Sequence, residues 1–431
     1  MTRSIRNFLA THNVLAVSAG QQEVAMNTEQ ELDTTLLVDL NTVLNYQAVK
    51  HPNREELTGK EEADRVHDFG GKVAGTLAFS RAQPQHFAFL LGYGLGEVET
   101  AALGGGGFRH TIRPRSGEVD AARSNPSFTA AMRFGRQVMK RRFASCFIDQ
   151  IRVDFARDGW AKITGTVKGS GRVTDNTQVE EVAAAFNAGS LSLAANGVAG
   201  ETPAERLSNV QAVRVLNPAT QAWEETAYVA VSEAVPGVID ITPPGGSGEL
   251  TTYRVYYLPR ESEWMDLPPR VEESPLKVSQ LAVTLGGRWD GTSFSGGYPL
   301  TTELRSLTWT MKNNLKTEST PGAGGNYANR AFRTGREQSL KFDRDFRDFL
   351  LAQNLKDNDT LGVYMKAAGP EFAPGLNYQV ELVFPQVGVL GTAVKVYQRR
   401  LGEEVEFAVL EDDTFGSVAA YVQNRVGSYA A

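Results

Sequence analysis

Apolar and polar positions alternate over short stretches along most of this chain, the period of strands with one buried face. Residues 71–79 (GKVAGTLAF), 108–112, 127–133, 147–155 and 160–168 (WAKITGTVK) read this way, and Asp158 with Gly159 is a hairpin turn signal between the last two. Residues 38–46 are a further candidate strand. They precede 53–68 (NREELTGKEEADRVHD), whose charge density and internal glycine predict an exposed loop or a long hairpin tip. The period changes in two places. Residues 84–91 (PQHFAFLL) predict a short helix with Pro84 in its first turn, where a missing N–H costs nothing, ended by the glycines at 92, 94 and 96. Residues 344–355 (RDFRDFLLAQNL) predict a second helix, with Asp343 as N-cap and Phe346, Phe349 and Leu350 at helical spacing.

Between these stretches, 212–216, 227–231, 238–241 and 252–258 (TYRVYYL) read as short strands and 179–186 as a short helix. After the stiff pair Pro268 and Pro269, strands are predicted at 278–285, 306–313, 337–342, 361–366, 379–384, 393–398 and 405–409. A repeat of pattern emerges: 71–79, 84–91 and 108–112 run strand, helix, strand, and so do 337–342, 344–355 and 361–366. Each set leads to a closing hairpin. The expected fold is therefore mainly β with minor α: two β-sandwich or barrel domains, each flanked by one short helix, plus an inserted β region. The boundaries expected are 1–68 (an N-terminal arm with a first strand and loop), 69–172 (first β domain), 173–265 (insertion) and 266–431 (second β domain). With 431 residues, of which 41% are hydrophobic, the chain has ample material for packed cores, and its 42 glycines and 18 prolines suit many turns.

Charge and chemistry narrow the function. A net charge of -6 argues against tight nucleic-acid or membrane binding, which needs concentrated positive potential. The single cysteine, Cys146, excludes an intrachain disulfide and reads as a small apolar residue beside Phe143 and Phe147. No apolar run approaches a membrane span. Arg3 and Arg6 before Phe8, with a Val-Ser-Ala at 17–19, outline a secretory leader, but His12 and Asn13 break it; an N-terminal arm fits better. All five histidines lie at or before position 110 without metal-ligand spacing. Gly92, Gly94 and Gly96 imitate a dinucleotide loop but follow a helix instead of a strand. No P-loop, nucleophile elbow or paired-carboxylate cleft is identified, so neither catalysis nor a cofactor or metal is expected. Arg133, Arg136, Lys140, Arg141 and Arg142 form a basic cluster. It suits either phosphate or an acidic strip on a neighbouring subunit, such as Glu61 and Glu62 or Glu180 and Glu181; the negative overall charge favours the second.

The passages GGKVAGTLAFSRAQPQHFAFLLGYGLG (70–96) and GGFRHTIRP (106–114), the strand pair in ASCFIDQIRVDFARDGWAKITGTVKGSG (144–171), and LRSLTWTMKNNLKTE (304–318), with its paired Asn313 and Asn314, resemble the tail tube proteins of tailed bacteriophages. The resemblance covers most of 65–172 and 275–412 and points to a duplicated form of the tube domain. It implies a structural subunit forming stacked rings, the channel for DNA ejection, with double-stranded DNA in transit and not bound by sequence. The partners it implies are other copies of the chain, tape measure, tail terminator and baseplate proteins, and a sheath where the tail contracts, with no membrane insertion. It places the chain in the virion, assembled in the host cytoplasm. If single-domain subunits close six-domain rings, a duplicated chain needs three copies; six copies are the alternative. A distal-tail or baseplate ring protein is the second reading, and a secreted carbohydrate-binding β protein a more distant third. Candidate subunit contacts are Glu61, Glu62, Arg136, Lys140, Arg141, Arg142, Asn313, Asn314, Asn326 and Tyr327. The long polar segments 53–68 and 317–333 are the expected contact arms.

Overall fold

The computed structural model describes residues 9–115, 124–135, 139–246, 248–260, 267–300, 302–321 and 325–430. As the alternation predicts, the chain is mainly β with minor α; three α-helices occur among the described residues. It divides into two compact units. One comprises Met1–Val14, Ala131–Arg142 and Thr174–Leu267; the other comprises Leu15–Ala130, Phe143–Val173 and Pro268–Ala431. Both halves of the sequence repeat lie in the second unit.

The first unit contains a small sandwich. One sheet runs Gln178–Ala185, Leu250–Tyr257, Val210–Leu216, Trp223–Thr226; the other runs Ser190–Ser192, Val238–Ile241, Tyr228–Val231. Alternate side chains of both, including Val213, Val215, Tyr253 and Val255 from one and Leu191, Val231 and Ile239 from the other, share a single core. The expected helix at 179–186 is instead the strand Gln178–Ala185, aligned over its whole length with Leu250–Tyr257. Val179, Val182 and Ala183 have helical spacing, but cross-strand pairing with an eight-residue partner overrides so weak a local preference. The helix of this region is Pro203–Asn209. Thr202 caps it by accepting from the Glu205 N–H, while the Glu205 carboxylate accepts from the Thr202 N–H.

The second unit is built on one antiparallel path of eight strands: Leu44–Pro52, Val66–Phe79, Lys162–Gly169, Met139–Ala156 from Phe143 onward, Leu304–Lys312, Glu337–Asp345, Arg400–Val409, Leu376–Tyr397. The last strand is 22 residues long and replaces the two expected at 379–384 and 393–398. Its first part also pairs with Thr360–Ala373 and Ala419–Asn424. From there a second set of strands continues through Gly107–Pro114 to Gly96–Gly104. The expected strand at 38–46 begins only at Leu44. Ahead of it Asp39 makes a turn, accepting from the Thr42 N–H at 2.9 Å and from the Ser80 N–H at 3.1 Å.

Helix Pro84–Leu95 is buried at every position. Phe87, Phe89, Leu90, Leu91, Tyr93 and Leu95 supply its anchors, each contributing about 1.5–3 kcal/mol by leaving water. Gly92 and Gly94 do not end it. A side chain on Gly94 would lie 2.4 Å from Ile151 Cδ1, so glycine leaves this buried side chain its place where the helix meets the sheet; Gly96, left-handed at φ 99°, is the C-cap. The second helix is Leu350–Asp357, later than expected. Its predicted first residues belong to the strand Glu337–Asp345, because Arg344 is taken up by Glu403 on the adjacent strand. Among the described residues no helix is long and apolar enough to cross a membrane.

Candidate functional site

The two halves of the eight-strand path have the same plan, offset by 265 residues in the opening hairpin and by 240 and 241 in the two strands of the closing one (403 − 163; 389 − 148). The hairpin register Leu44↔Gly75 recurs as Trp309↔Leu340, each residue 265 later (309 − 44; 340 − 75). Helix Pro84–Leu95 follows the first hairpin as Leu350–Asp357 follows the second. The pair Phe79↔Ile163 recurs as Arg344↔Glu403. Even the irregularity is shared: the closing hairpin shifts register between Ile148 and Gln150 in the first half and between Val389 and Gly391 in the second. A bulge kept at matching places is a built feature of a sheet.

The halves meet strand to strand. Ala156 through Gln150 pair antiparallel with Ser306 through Lys312. Ile151, Val153 and Phe155 on one strand and Leu307, Trp309 and Met311 on the other are fully buried. On the opposite face the Thr308 hydroxyl donates to Asp154 Oδ1 at 2.8 Å. Asn313 closes this joint. It is fully buried, and its amide donates to the carbonyls of Gly94 (2.9 Å) and Ile148 (3.0 Å). Its side chain therefore works inside the chain and is not available as a surface contact. Asn314 turns the backbone at φ 48°, and its carbonyl accepts from the Thr334 hydroxyl at 2.9 Å.

The hairpin tips differ in their surroundings. The second folds back onto the first half: the Gly71 N–H donates to Asn326 O at 3.3 Å, and the Ala328 N–H to Ser170 O at 2.8 Å. Gly70, at φ 90°, admits the approach; a side chain there would strike the Asn326 carbonyl. Tyr327 lies under the Arg172 guanidinium, 5.9 Å from its charge centre. Within 317–333, residues 322–324 lie outside the described residues. The first tip stands in solvent with Glu61 and Glu62 exposed. Its own polar contacts shape it: Asn53 donates to Asp64 (2.9 Å) and Glu56 (3.1 Å), and Lys60 pairs with Asp64 at 2.8 Å. The Asn53 hydrogen bond and then His67 hold the Glu56 carboxyl below its ordinary range. Yet Leu57, Val66 and Phe69 on this arm are left exposed.

The basic cluster belongs to the first unit, where Arg141 pairs with Asp175 at 3.5 Å and the Lys140 N–H donates to Asn176 Oδ1 at 2.9 Å; Arg142 is half-buried there. Arg136 lies outside the described residues. Glu180 and Glu181 are not an open acidic strip: Glu181 holds Arg254 at 2.7 Å and Glu180 accepts from the Tyr257 hydroxyl at 2.9 Å. His110 and Cys146 are buried and held within the fold. His110 accepts at Nδ1 from the Thr100 hydroxyl (2.8 Å) and donates from Nε2 to Val426 O (2.9 Å), and burial lowers its pKa. Burial and the charge of Glu23 push the Cys146 thiol far above its ordinary value. No group of three His, Cys, Asp or Glu suited to a metal occurs among the described residues.

What sequence reading missed is the pair of open edges at the two ends of the path. Strand Leu44–Pro52 pairs only with Val66–Phe79, and the end of Leu376–Tyr397 beyond Val389 pairs only with Arg400–Val409, among the described residues. The alternating Val394 and Val396 signal a strand with one face to cover, but not which molecule covers it.

No family model matches this chain, and no curated protein matches it. Among solved structures it is similar to a mutant Hcp1 protein from the E. coli EAEC 042 pathovar, at 11% identity over 34% of this chain and 97% of that one, with a TM-score of 0.17. That superposition is too loose to define a common fold.

Proposed function

We propose that this chain is a structural subunit that joins copies of itself head to tail through strand edges, forming rings that stack into the tail tube of a tailed bacteriophage. The reading is carried by one observation: the chain already contains an edge-to-edge joint between two halves of one plan, and among the described residues the two outer edges of that plan are open. An unpaired edge is a template for another chain, and a long one left exposed aggregates without control unless a defined partner takes it. A head-to-tail contact whose rotation closes makes a ring. Together with the sequence resemblance, this favours three chains presenting six matching segments, with DNA passing through and the ring built in the host cytoplasm before entering the virion.

The exposed first arm is the second part of the reading. Replacing residues 54–64 with a short glycine turn removes a solvent-standing tip and leaves the ladder below it intact. The expected outcome is soluble, folded protein that no longer forms rings or tubes by electron microscopy. Normal tubes from this variant would reject the arm as a contact. Isolated rings from the unmodified chain that never stack would favour the distal-tail or baseplate reading instead.

A further inference from the structure

We propose that residues 391–395 of one copy pair antiparallel with residues 43–47 of the next, in the register the chain uses between its own halves. The inference rests on the edge-to-edge reading above and adds the strands, the register and the residues. Carrying the internal joint forward by 241 residues on one strand (394 − 153) and back by 265 on the other (309 − 44), the offsets of the closing and opening hairpins, fixes every partner. Val153↔Trp309 becomes Val394 against Leu44; Arg152↔Thr310 becomes Ala393 against Asn45; Ile151↔Met311 becomes Thr392 against Tyr46; Gln150↔Lys312 becomes Gly391 against Gln47.

Burial supports the match. Val153 and Phe155 are 0% and 2% exposed because Leu307 and Trp309 lie alongside, whereas their counterparts Val394 and Val396 are 58% and 70% exposed. Tyr46 is exposed where its counterpart Met311 is buried. The strand Leu44–Pro52 also starts late. Its counterpart begins at Leu304, five residues before Trp309, the match of Leu44, because a neighbouring strand holds it there. A second copy supplies what is missing on both sides.

The arms agree with this arrangement. Inside the chain the second tip lays Asn326 O on the Gly71 N–H. The same spacing places Glu61 of the next copy at Arg336. Arg336 lies beside Arg333: burial, then the charge of Arg333, lowers its pKa to about 10, with Glu411 acting in the opposite sense. Glu61 and Glu62 bring the opposite charge, and the exposed Leu57, Val66 and Phe69 of that arm gain a surface to cover them. The helix Leu350–Asp357, with Phe349, Leu350 and Leu355 exposed where the first helix is buried throughout, lies in the same uncovered half.

The test uses the full chain with Asn45→Cys and Ala393→Cys, both exposed and directly opposite in the proposed register; Cys146 stays buried. Opposed residues in antiparallel strands have Cα atoms about 4.5–5.5 Å apart, within the roughly 4.4–6.8 Å that a disulfide spans after mild oxidation. The expected result is a set of disulfide-linked multimers on a non-reducing gel, absent from either single variant and from Asn45→Cys with Val396→Cys, whose side chains fall on opposite faces. Rings or tubes by microscopy without this cross-link would overturn the pairing and leave the proposed function standing. Folded protein that stays monomeric would overturn both and assign the open edges to a different partner.

Discussion

Replacing Arg344 with alanine is expected to cost about 3–5 kcal/mol of stability, because it strands a buried carboxylate. Arg344 and Glu403 are 0% and 2% exposed in their side chains, directly opposite on neighbouring strands, with Nη2 and Oε2 2.7 Å apart. Burial works against the Arg344 charge, but the hydrogen bond and charge of Glu403 outweigh it, so its pKa stands above the ordinary value. The repeat provides an unusual control, since the matching positions in the first half are Phe79 and Ile163, also opposite and buried. A double variant Arg344→Phe, Glu403→Ile copies an apolar pair the same plan already accommodates. It is expected to match the native chain or exceed it by about 1–4 kcal/mol, since well-packed apolar side chains avoid the desolvation of two charges. Urea unfolding of the three proteins decides. A single variant within about 0.5 kcal/mol of the native chain, the range of ordinary surface changes, would refute the assignment.

The second large effect compares one substitution at two matching positions. Val153→Asp is expected to prevent folding. The carboxylate would sit fully buried between Ile163 and Trp309, and the penalty for an unpaired buried charge is several kcal/mol. Val394→Asp puts the same group at the equivalent, solvent-exposed place, so the free chain folds and melts as the native protein does while losing assembly. Circular dichroism melts with size-exclusion chromatography separate the two outcomes. If Val394→Asp assembled normally, the free edge would have no role in association.

Much of this architecture is legible in the amino-acid sequence. The hairpin at Asp158 follows from a residue that tolerates its φ of 63°, and the strand Val238–Ile241 has the bounds its alternation gives. The duplication is readable as an order of elements even though few residues repeat, because spacing and bulge position survive where side chains such as Phe79 and Arg344 diverge. The misread elements share a cause. Residues 179–185 and 344–345 have local helical spacing with their neighbours, and in each case a partner strand distant in sequence decides otherwise. Gly92 and Gly94 resemble a helix stop because the reason for them, Val98 and Ile151 pressed against the backbone, lies elsewhere in the chain. Val394 and Val396 alternate as any half-buried strand does. Nothing local tells a strand whose partner lies in the same chain from one whose partner is another molecule. Asn313 and Asn314 stand out in sequence as a pair, but one is an internal clamp and the other a turn residue.

One chain is expected to supply two matching segments of a closed ring. Mass measurement of isolated rings, with microscopy of the same sample, tests it most directly. Three chains per ring, six similar lobes around the axis and stacking into tubes are expected. Six chains per ring would contradict the equivalence of the two halves while leaving a tube subunit in place, and a folded monomer at every concentration would contradict the account as a whole.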